Sequence, residues 1–157
     1  MRRFIVCCSI SGWLGSSVQL LSPAMAQEPT PSCQIVASKA GQMFANSFLA
    51  TRLESLGADS YFRVECTGKI AGKLRLSLGA GNRVYNGSAR FKVVSVSGIF
   101  TSTNLDYTNS PVMVPYTNSS GKSAGEVRYQ VQVVAPSGYL LPANLDYAVK
   151  VQAESIQ

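Results

Sequence analysis

The sequence contains no histidine, and this absence removes several common classes of catalytic site. Nucleophilic sites of the Ser-His-Asp and Cys-His types need an imidazole as general base, and many zinc sites need it as a ligand. The eight acidic residues form no recognisable pair of the kind that glycosidases use. No glycine-rich loop follows a strand and opens a helix, as phosphate-binding loops do. We therefore expect a protein that is not an enzyme and needs neither a cofactor nor a metal ion.

Charged residues are scarce, at 14% of the chain, and the basic ones are scattered. Nucleic-acid binding depends on clustered lysine and arginine, so we expect no nucleic-acid partner. Lys73, Arg75, Arg90 and Lys92 would share one face if their two strands pair. Such a face is usually only the solvated side of a sheet, although an acidic polysaccharide or a cell surface is an alternative partner.

The first 26 residues have the three parts of a secretory signal peptide. Arg2 and Arg3 form a basic start, residues 4–21 are largely apolar, and Ala24 and Ala26 provide the small side chains of a cleavage site. Serine and glycine residues interrupt the apolar part, which falls short of the roughly 20 apolar residues that a membrane span needs. We predict cleavage after Ala26 and export to the periplasm, the cell surface or the medium.

Removal of this peptide leaves 131 residues with a net charge of +4, because Arg2 and Arg3 are lost while all acidic residues remain. Only Cys33 and Cys66 are kept of the four cysteines, and in an oxidising compartment two cysteines indicate one disulfide. We expect a short leader at residues 27–32 and a single domain over residues 33–157. No segment after the signal peptide is apolar enough to span a membrane.

Three segments of the mature chain, residues 73–78, 127–134 and 144–153, alternate between apolar and polar residues, which is typical of half-buried strands. The apolar positions are Leu74, Leu76, Leu78, Val127, Tyr129, Val131, Val133, Leu145, Tyr147, Val149 and Val151. Clusters of glycine, proline, asparagine and serine separate the segments. This order predicts an all-β, antiparallel β-sandwich.

Two further segments are less regular. Residues 90–97 are rich in β-branched side chains, with Phe91, Val93 and Ser95 expected on one side of a strand. Residues 42–56 carry apolar residues at spacings that also fit a short helix, and we interpret them as mixed loop and strand.

The ordered motifs of the mature chain resemble one family, the spore coat protein U domain, which is the subunit type of archaic chaperone-usher pili. The resemblance covers residues 33–155. Its motifs are Cys-Gln-Ile-Val at 33–36, Met-Phe-Ala-Asn at 43–46, Phe-Arg-Val-Glu-Cys-Thr at 62–67, Ser-Leu-Gly-Ala-Gly at 77–81, and Leu-Pro-Ala-Asn-Leu-Asp-Tyr-Ala-Val-Lys-Val at 141–151.

The resemblance implies an immunoglobulin-like sandwich that lacks its last strand, with Cys33 and Cys66 bridging the first two strands. It also implies a periplasmic chaperone, an usher and neighbouring subunits as partners, which would add a strand to the open groove. The residues expected to line this strand-acceptor groove are Leu145, Tyr147, Val149 and Val151. The chain itself agrees, since it ends soon after this apolar strand.

The sequence departs from the family at two places. The leader at residues 27–32 is short and polar, and Pro29 and Pro31 cannot donate to a ladder, so it is a poor donor strand. Asn144 replaces the glycine of the closing motif. The first hypothesis is a structural subunit of a surface fibre or coat. The departures fit a terminal or minor subunit that accepts a strand without donating one, and the alternative to that is a monomeric relative that closes its own groove.

The alternative hypothesis is a monomeric secreted binding module for a glycan or a cell surface. Residues 104–125 are polar apart from the apolar residues 112–114, and we expect an exposed connection with a short strand inside it. Exposed Tyr107, Tyr116 and Tyr139 would hold the ligand, although packing inside the sandwich is the commoner role of such tyrosines.

Overall fold

The computed structural model describes residues 30–44, 50–55, 60–101, 105–143 and 145–157. The predicted signal peptide, its cleavage residues Ala24 and Ala26, and Asn144 lie outside these residues. Within them the chain forms ten β-strands and has no helix that could cross a membrane. The strands are β1 (Ser32–Lys39), β2 (Gly41–Phe44), β3 (Arg52–Glu54), β4 (Ser60–Thr67), β5 (Ile70–Leu78), β6 (Ser88–Ser97), β7 (Val112–Asn118), β8 (Lys122–Val134), β9 (Asp146–Val149) and β10 (Val151–Ile156).

The strands form two main antiparallel sheets, which confirms the prediction of an all-β sandwich. In the larger sheet β1 pairs with β4, β4 and β3 pair with successive parts of one edge of β8, and β6 pairs with its other edge. The smaller sheet has the order β10-β5-β7. β2 and β9 form a separate antiparallel pair. Residues 42–56 contribute β2 and β3 in their described parts, in agreement with the interpretation as mixed loop and strand.

The core lies between the inward faces of the two sheets. β8 supplies Val127, Tyr129, Val131 and Val133, all with no exposed surface, and Leu74 and Leu76 of β5 face them from the smaller sheet. Alternation along each strand places every second side chain inside, and burial of these groups is the main stabilising term. The inward positions that the alternation predicts for these residues are therefore confirmed.

Ser95 does not share the inward face of Phe91 and Val93, with which the sequence pattern grouped it. The register of β6 against β8 shifts between Val93 and Ser95, so that Val94 is 43% exposed and Val96 packs against the core. A β-bulge adds one residue to one strand, and this inverts the alternation beyond it.

The strand expected inside residues 104–125 is present, but it is longer and more buried than the exposed connection that was predicted. β7 is a seven-residue strand in which Val112, Val114 and Tyr116 are buried. Pro115 is tolerated because its carbonyl accepts from Thr101 N (3.0 Å), so its backbone faces away from β5 and its missing N–H is not needed by that ladder.

The four basic residues that could have formed one face are separated. Lys73 and Arg75 lie on β5 in the smaller sheet, whereas Arg90 and Lys92 lie on β6 in the larger one. The sequence could not show this, because strands with similar patterns can join either sheet of a sandwich.

Tyr129 of β8 connects the end of β1 to the core through a ring contact and a hydrogen bond. Its ring stacks on Phe62 with centroids 5.3 Å apart, and its hydroxyl donates to the carbonyl of Lys39 (2.6 Å). Burial raises the pKa of Tyr129 to about 12, and a hydrogen bond with Ser60 opposes part of this shift. The folded state therefore keeps the phenol protonated at a pH where the unfolded chain loses the proton.

We predict that this tyrosine contributes to alkaline unfolding. Its stabilising effect is complete below about pH 10 and is lost as the pH rises towards 12, a change on the order of 2 to 3 kcal/mol. Urea titrations of the Tyr129→Phe variant should show a free energy of unfolding that falls less steeply over this range. The control is Tyr139→Phe, at a residue that is 68% exposed, which should follow the wild type. Identical slopes for Tyr129→Phe and the wild type would contradict the assignment.

Candidate strand-acceptor edge

The predicted disulfide is confirmed and fixes the beginning of the domain. Cys33 on β1 and Cys66 on β4 are bonded and lie directly opposite each other, with their Cα atoms 4.1 Å apart. Both side chains are buried. The bond holds β1 in the larger sheet at the end where the domain starts.

The first and last parts of the chain each pair in two different places. β1 pairs with β4 in the larger sheet, but after Ala40 the chain pairs as β2 with β9. In the same way the chain divides at Lys150, where β9 ends its pairing with β2 and β10 joins β5. Each of these two parts of the chain therefore changes its partner strand once, the first at Ala40 and the second at Lys150.

The two exchanges occur side by side. Gly41, the first residue of β2, is paired with Val149, the last residue of β9. β1 comes directly before β2 and β10 directly after β9, so both extend from the same end of the β2–β9 pair. β1 and β10 come close to each other there but form no ladder. β1 is an edge strand of the larger sheet and β10 an edge strand of the smaller one, and the space beside the edge of β10 that faces β1 is called the gap.

The strand pairings differ between β9 and β10. β9 has β2 on one edge, and on the other edge Arg83 and Ala148 exchange two backbone hydrogen bonds (2.8 and 3.0 Å). β10 has β5 on one edge, and in the described part of the chain no strand pairs with its other edge. Among the described residues an open sheet edge therefore lies along β10, on the side of the gap.

The direction of the backbone groups on β10 follows from its pairing with β5. The carbonyl of Lys150 accepts from Gly79 N (2.8 Å), and in an antiparallel ladder the hydrogen-bonding direction alternates along the strand. The N–H and C=O groups of Val151, Ala153 and Ser155 therefore point into the gap. The six residues of β10 extend over about 20 Å.

The side chains along the same edge are small and turned inward. Val151 is buried, while Ala153 and Ser155 are partly buried. The hydroxyl of Ser155 hydrogen-bonds to the hydroxyl of Tyr116 (2.9 Å), which reaches it beneath Gly72. A Cβ on Gly72 would lie 2.4 Å from the carbonyl oxygen of Ile156, so this close approach of β5 to β10 requires glycine.

β1 and β10 each carry an exposed apolar side chain. Val36 on β1 is 48% exposed, and Ile156 at the end of β10 is 39% exposed. Ile35, next to Val36, packs against the core. β10 therefore has an edge without a strand partner among the described residues and exposed apolar surface on the same strand, the two features that a docking strand uses.

The four residues predicted to line the strand-acceptor groove do not all lie on one open edge. Tyr147 and Val149 have no exposed surface, and Leu145 packs against the core. Val151 is the one of the four that lies on β10, whose edge is open in the residues that the structure describes. Ala153 and Ser155 of β10 were not among the residues predicted to line the groove, although the alternation continues through them. The reason is that alanine and serine differ less in polarity from their neighbours than valine or tyrosine does.

The three tyrosines named as a possible ligand surface differ in exposure. Tyr116 is 1% exposed and packs inside the sandwich, the commoner role of such tyrosines, whereas Tyr139 is 68% exposed. Tyr107 is partly buried, with its hydroxyl 3.5 Å from Oε1 of Gln130 and Lys92 Nζ 4.5 Å from its ring centre. Burial, followed by the charge of Glu54, raises the pKa of Tyr107, and Arg52 partly opposes the shift.

The chain matches no family model, no curated protein and no solved structure. The geometry of the β10 edge and the sequence motifs are therefore the basis for a functional conclusion. Among the described residues no group of three or more cysteine, aspartate or glutamate side chains could hold a metal ion.

Proposed function

We propose that this protein is a secreted structural subunit of a surface fibre or coat that is assembled by β-strand addition. The observation that carries the proposal is the edge of β10, which has no strand partner among the residues described. The resemblance to the spore coat protein U domain supports the same role. Under this proposal a periplasmic chaperone fills the gap first, an usher assists assembly, and a segment of a neighbouring subunit replaces the chaperone strand.

An added strand would satisfy the edge in two ways. Its backbone would pair with the outward N–H and C=O groups of Val151, Ala153 and Ser155, and every second side chain would enter the gap between β1 and β10. The open edge of the smaller sheet and the neighbouring edge of β1 would then be covered by one segment. In an immunoglobulin-like sandwich this is the place of the last strand.

The beginning of the domain supports an acceptor role over a donor role. Ser32 already belongs to β1, and Pro31 packs against Gly68, where a Cβ would lie 3.2 Å from Pro31 Cα. Little of the leader remains to form a ladder with another subunit, and its prolines lack the N–H that pairing needs. We therefore propose a terminal or minor subunit that accepts a strand without donating one.

Proline substitution can close this edge while leaving the fold intact. In Ala153→Pro the lost N–H points into the gap, so the pairing with β5 is preserved while the ring obstructs an added strand. We expect the exported wild-type chain to elute in a complex with a chaperone or a further copy, and Ala153→Pro to elute as a monomer. Size-exclusion chromatography with light scattering and mass spectrometry measures both.

The matched control is Gln152→Pro, in which the lost N–H belongs to the ladder with β5. This variant should lower the thermal midpoint, while Ala153→Pro should not. In the complex, hydrogen exchange at the amides of Val151, Ala153 and Ser155 should be slowed. A stable wild-type monomer in which these three amides already exchange slowly would show that the chain covers its own edge, and would overturn the proposal.

A further inference from the structure

Tyr85 has a backbone conformation that its side chain disfavours. It has a φ of 51° and is the one non-glycine residue with positive φ in the described ranges. It is the second residue of a β-turn that Gly87 N closes by donating to the carbonyl of Val84 (2.7 Å). Positive φ at this position is usually supplied by glycine, asparagine or aspartate. The chain therefore places a large aromatic ring where the backbone favours a residue without one.

The segment that carries this ring, residues 79–87, is held firmly against the strand β9 and its continuation. Asn82 Oδ1 accepts from Lys150 N (2.7 Å), and Arg83 and Ala148 are joined through their backbones. The ring of Tyr85 packs on the buried Tyr147, with centroids 5.0 Å apart and planes at 73°. Tyr85 nevertheless remains 50% exposed, so the orientation of an accessible ring is fixed before any ligand arrives.

A pair of opposite charges lies beside the ring. The guanidinium of Arg83 forms an ion pair with the carboxylate of Asp146, and Arg83 Nε also donates to the carbonyl of Asp146 (3.3 Å). The Tyr85 hydroxyl is 3.5 Å from the same carbonyl. Both charged side chains are about half exposed, and each keeps hydrogen-bonding capacity beyond this contact. The pair has no net charge, which disfavours selection of a strongly charged ligand.

We propose that Tyr85, Arg83 and Asp146 form a shallow binding site for a neutral pyranose oligosaccharide. The C–H face of a sugar ring packs well on an aromatic ring, while neighbouring hydroxyl groups can donate to a carboxylate and accept from a guanidinium at the same time. This site lies on residues 79–87 and β9, apart from the β10 edge, and does not depend on strand addition.

The backbone of Tyr85 supports a role in binding. A glycine at this position would form the same turn without steric conflict, and strained conformations of this kind concentrate at ligand sites. In Tyr85→Gly, relief of the strain offsets loss of the contact with Tyr147. We therefore expect a thermal midpoint within about 2 °C of the wild type.

The test measures binding and stability on the same variants. Cellotetraose, maltotetraose and chitotetraose are offered to the exported chain, with binding followed by saturation-transfer NMR and calorimetry. We expect at least one of them to bind, and Tyr85→Gly to lower its affinity about tenfold or more, as loss of an anchoring aromatic does. Tyr85→Phe should stay within about threefold. Tyr139→Gly, at an exposed tyrosine in another turn, is the control and should not change the affinity.

Four results would overturn the proposal. These are absence of binding by all three probes at millimolar concentration, unchanged affinity in Tyr85→Gly, binding of oligogalacturonate alone with loss at high salt, and loss of self-association in Tyr85→Gly without any sugar binding. If Tyr85→Gly does not fold, Tyr85→Asn replaces it, since asparagine tolerates positive φ. The β10 variant Ala153→Pro should bind sugar normally, which separates this proposal from the assembly role.

Discussion

A lysine in place of Val131 prevents the domain from folding. Val131 has no exposed surface and lies in the second half of β8, with Phe91 of β6 as its direct partner across the ladder. An ammonium group here would have no partner, and burial of an unpaired charge costs more than a small domain can lose. We expect a destabilisation of about 4 kcal/mol or more. The same reasoning applies to Val149→Lys, because Val149 is also fully buried.

The matched control is the same change at an exposed valine. Val94, at the bulge of β6, is 43% exposed, and a lysine there can extend into water. Protease digestion and far-ultraviolet circular dichroism of the exported chains should show an intact domain for Val94→Lys and an unfolded chain for the two core variants. Normal secretion and protease resistance of Val131→Lys would refute the assigned register of β8.

Removal of the disulfide should produce the second large effect. In the double variant Cys33→Ala/Cys66→Ala the unfolded chain gains the freedom of a loop with a sequence separation of 33 residues. Chain-entropy arithmetic gives about 3 to 4 kcal/mol for a loop of this size. Both cysteines are buried, so the smaller alanine side chains add a further loss of packing.

Urea denaturation of the oxidised wild type and the double variant measures this change as a shift in midpoint. The wild type treated with a reducing agent should unfold near the midpoint of the variant. Mass spectrometry of the exported wild type should find no free thiol at Cys33 or Cys66. A midpoint that is unaffected by the double substitution would mean that the ladder between β1 and β4 holds without the bond.

The placement of the C-terminal residues shows how far alternation can predict a site. The pattern at Tyr147, Val149 and Val151 correctly indicated inward side chains, because period two directly determines which face a residue occupies. It did not indicate that the strand divides at Lys150 between two pairings. The neighbour on each edge depends on contacts with residues far away in sequence, and these leave no local period.

The sequence also did not predict that Tyr85 lies beside the ion pair of Arg83 and Asp146. Asn86 and Gly87 are residues typical of turns, but nothing local indicates that the aromatic residue takes the positive φ. Arg83 and Asp146 are 63 residues apart in sequence and meet only because residues 79–87 lie against β9. A pair so distant cannot be found from one sequence by spacing alone.

The sequence by itself determined the class of the fold, the inward face of β5 and β8, and the disulfide between Cys33 and Cys66, because these follow from local periodicity and from the placement of the cysteines. The tertiary structure alone decided which strands are neighbours, and therefore where an edge stays open and which polar groups meet beside Tyr85. The physical reason is that strand order is set by packing between distant segments, whereas alternation is set by the geometry of each strand.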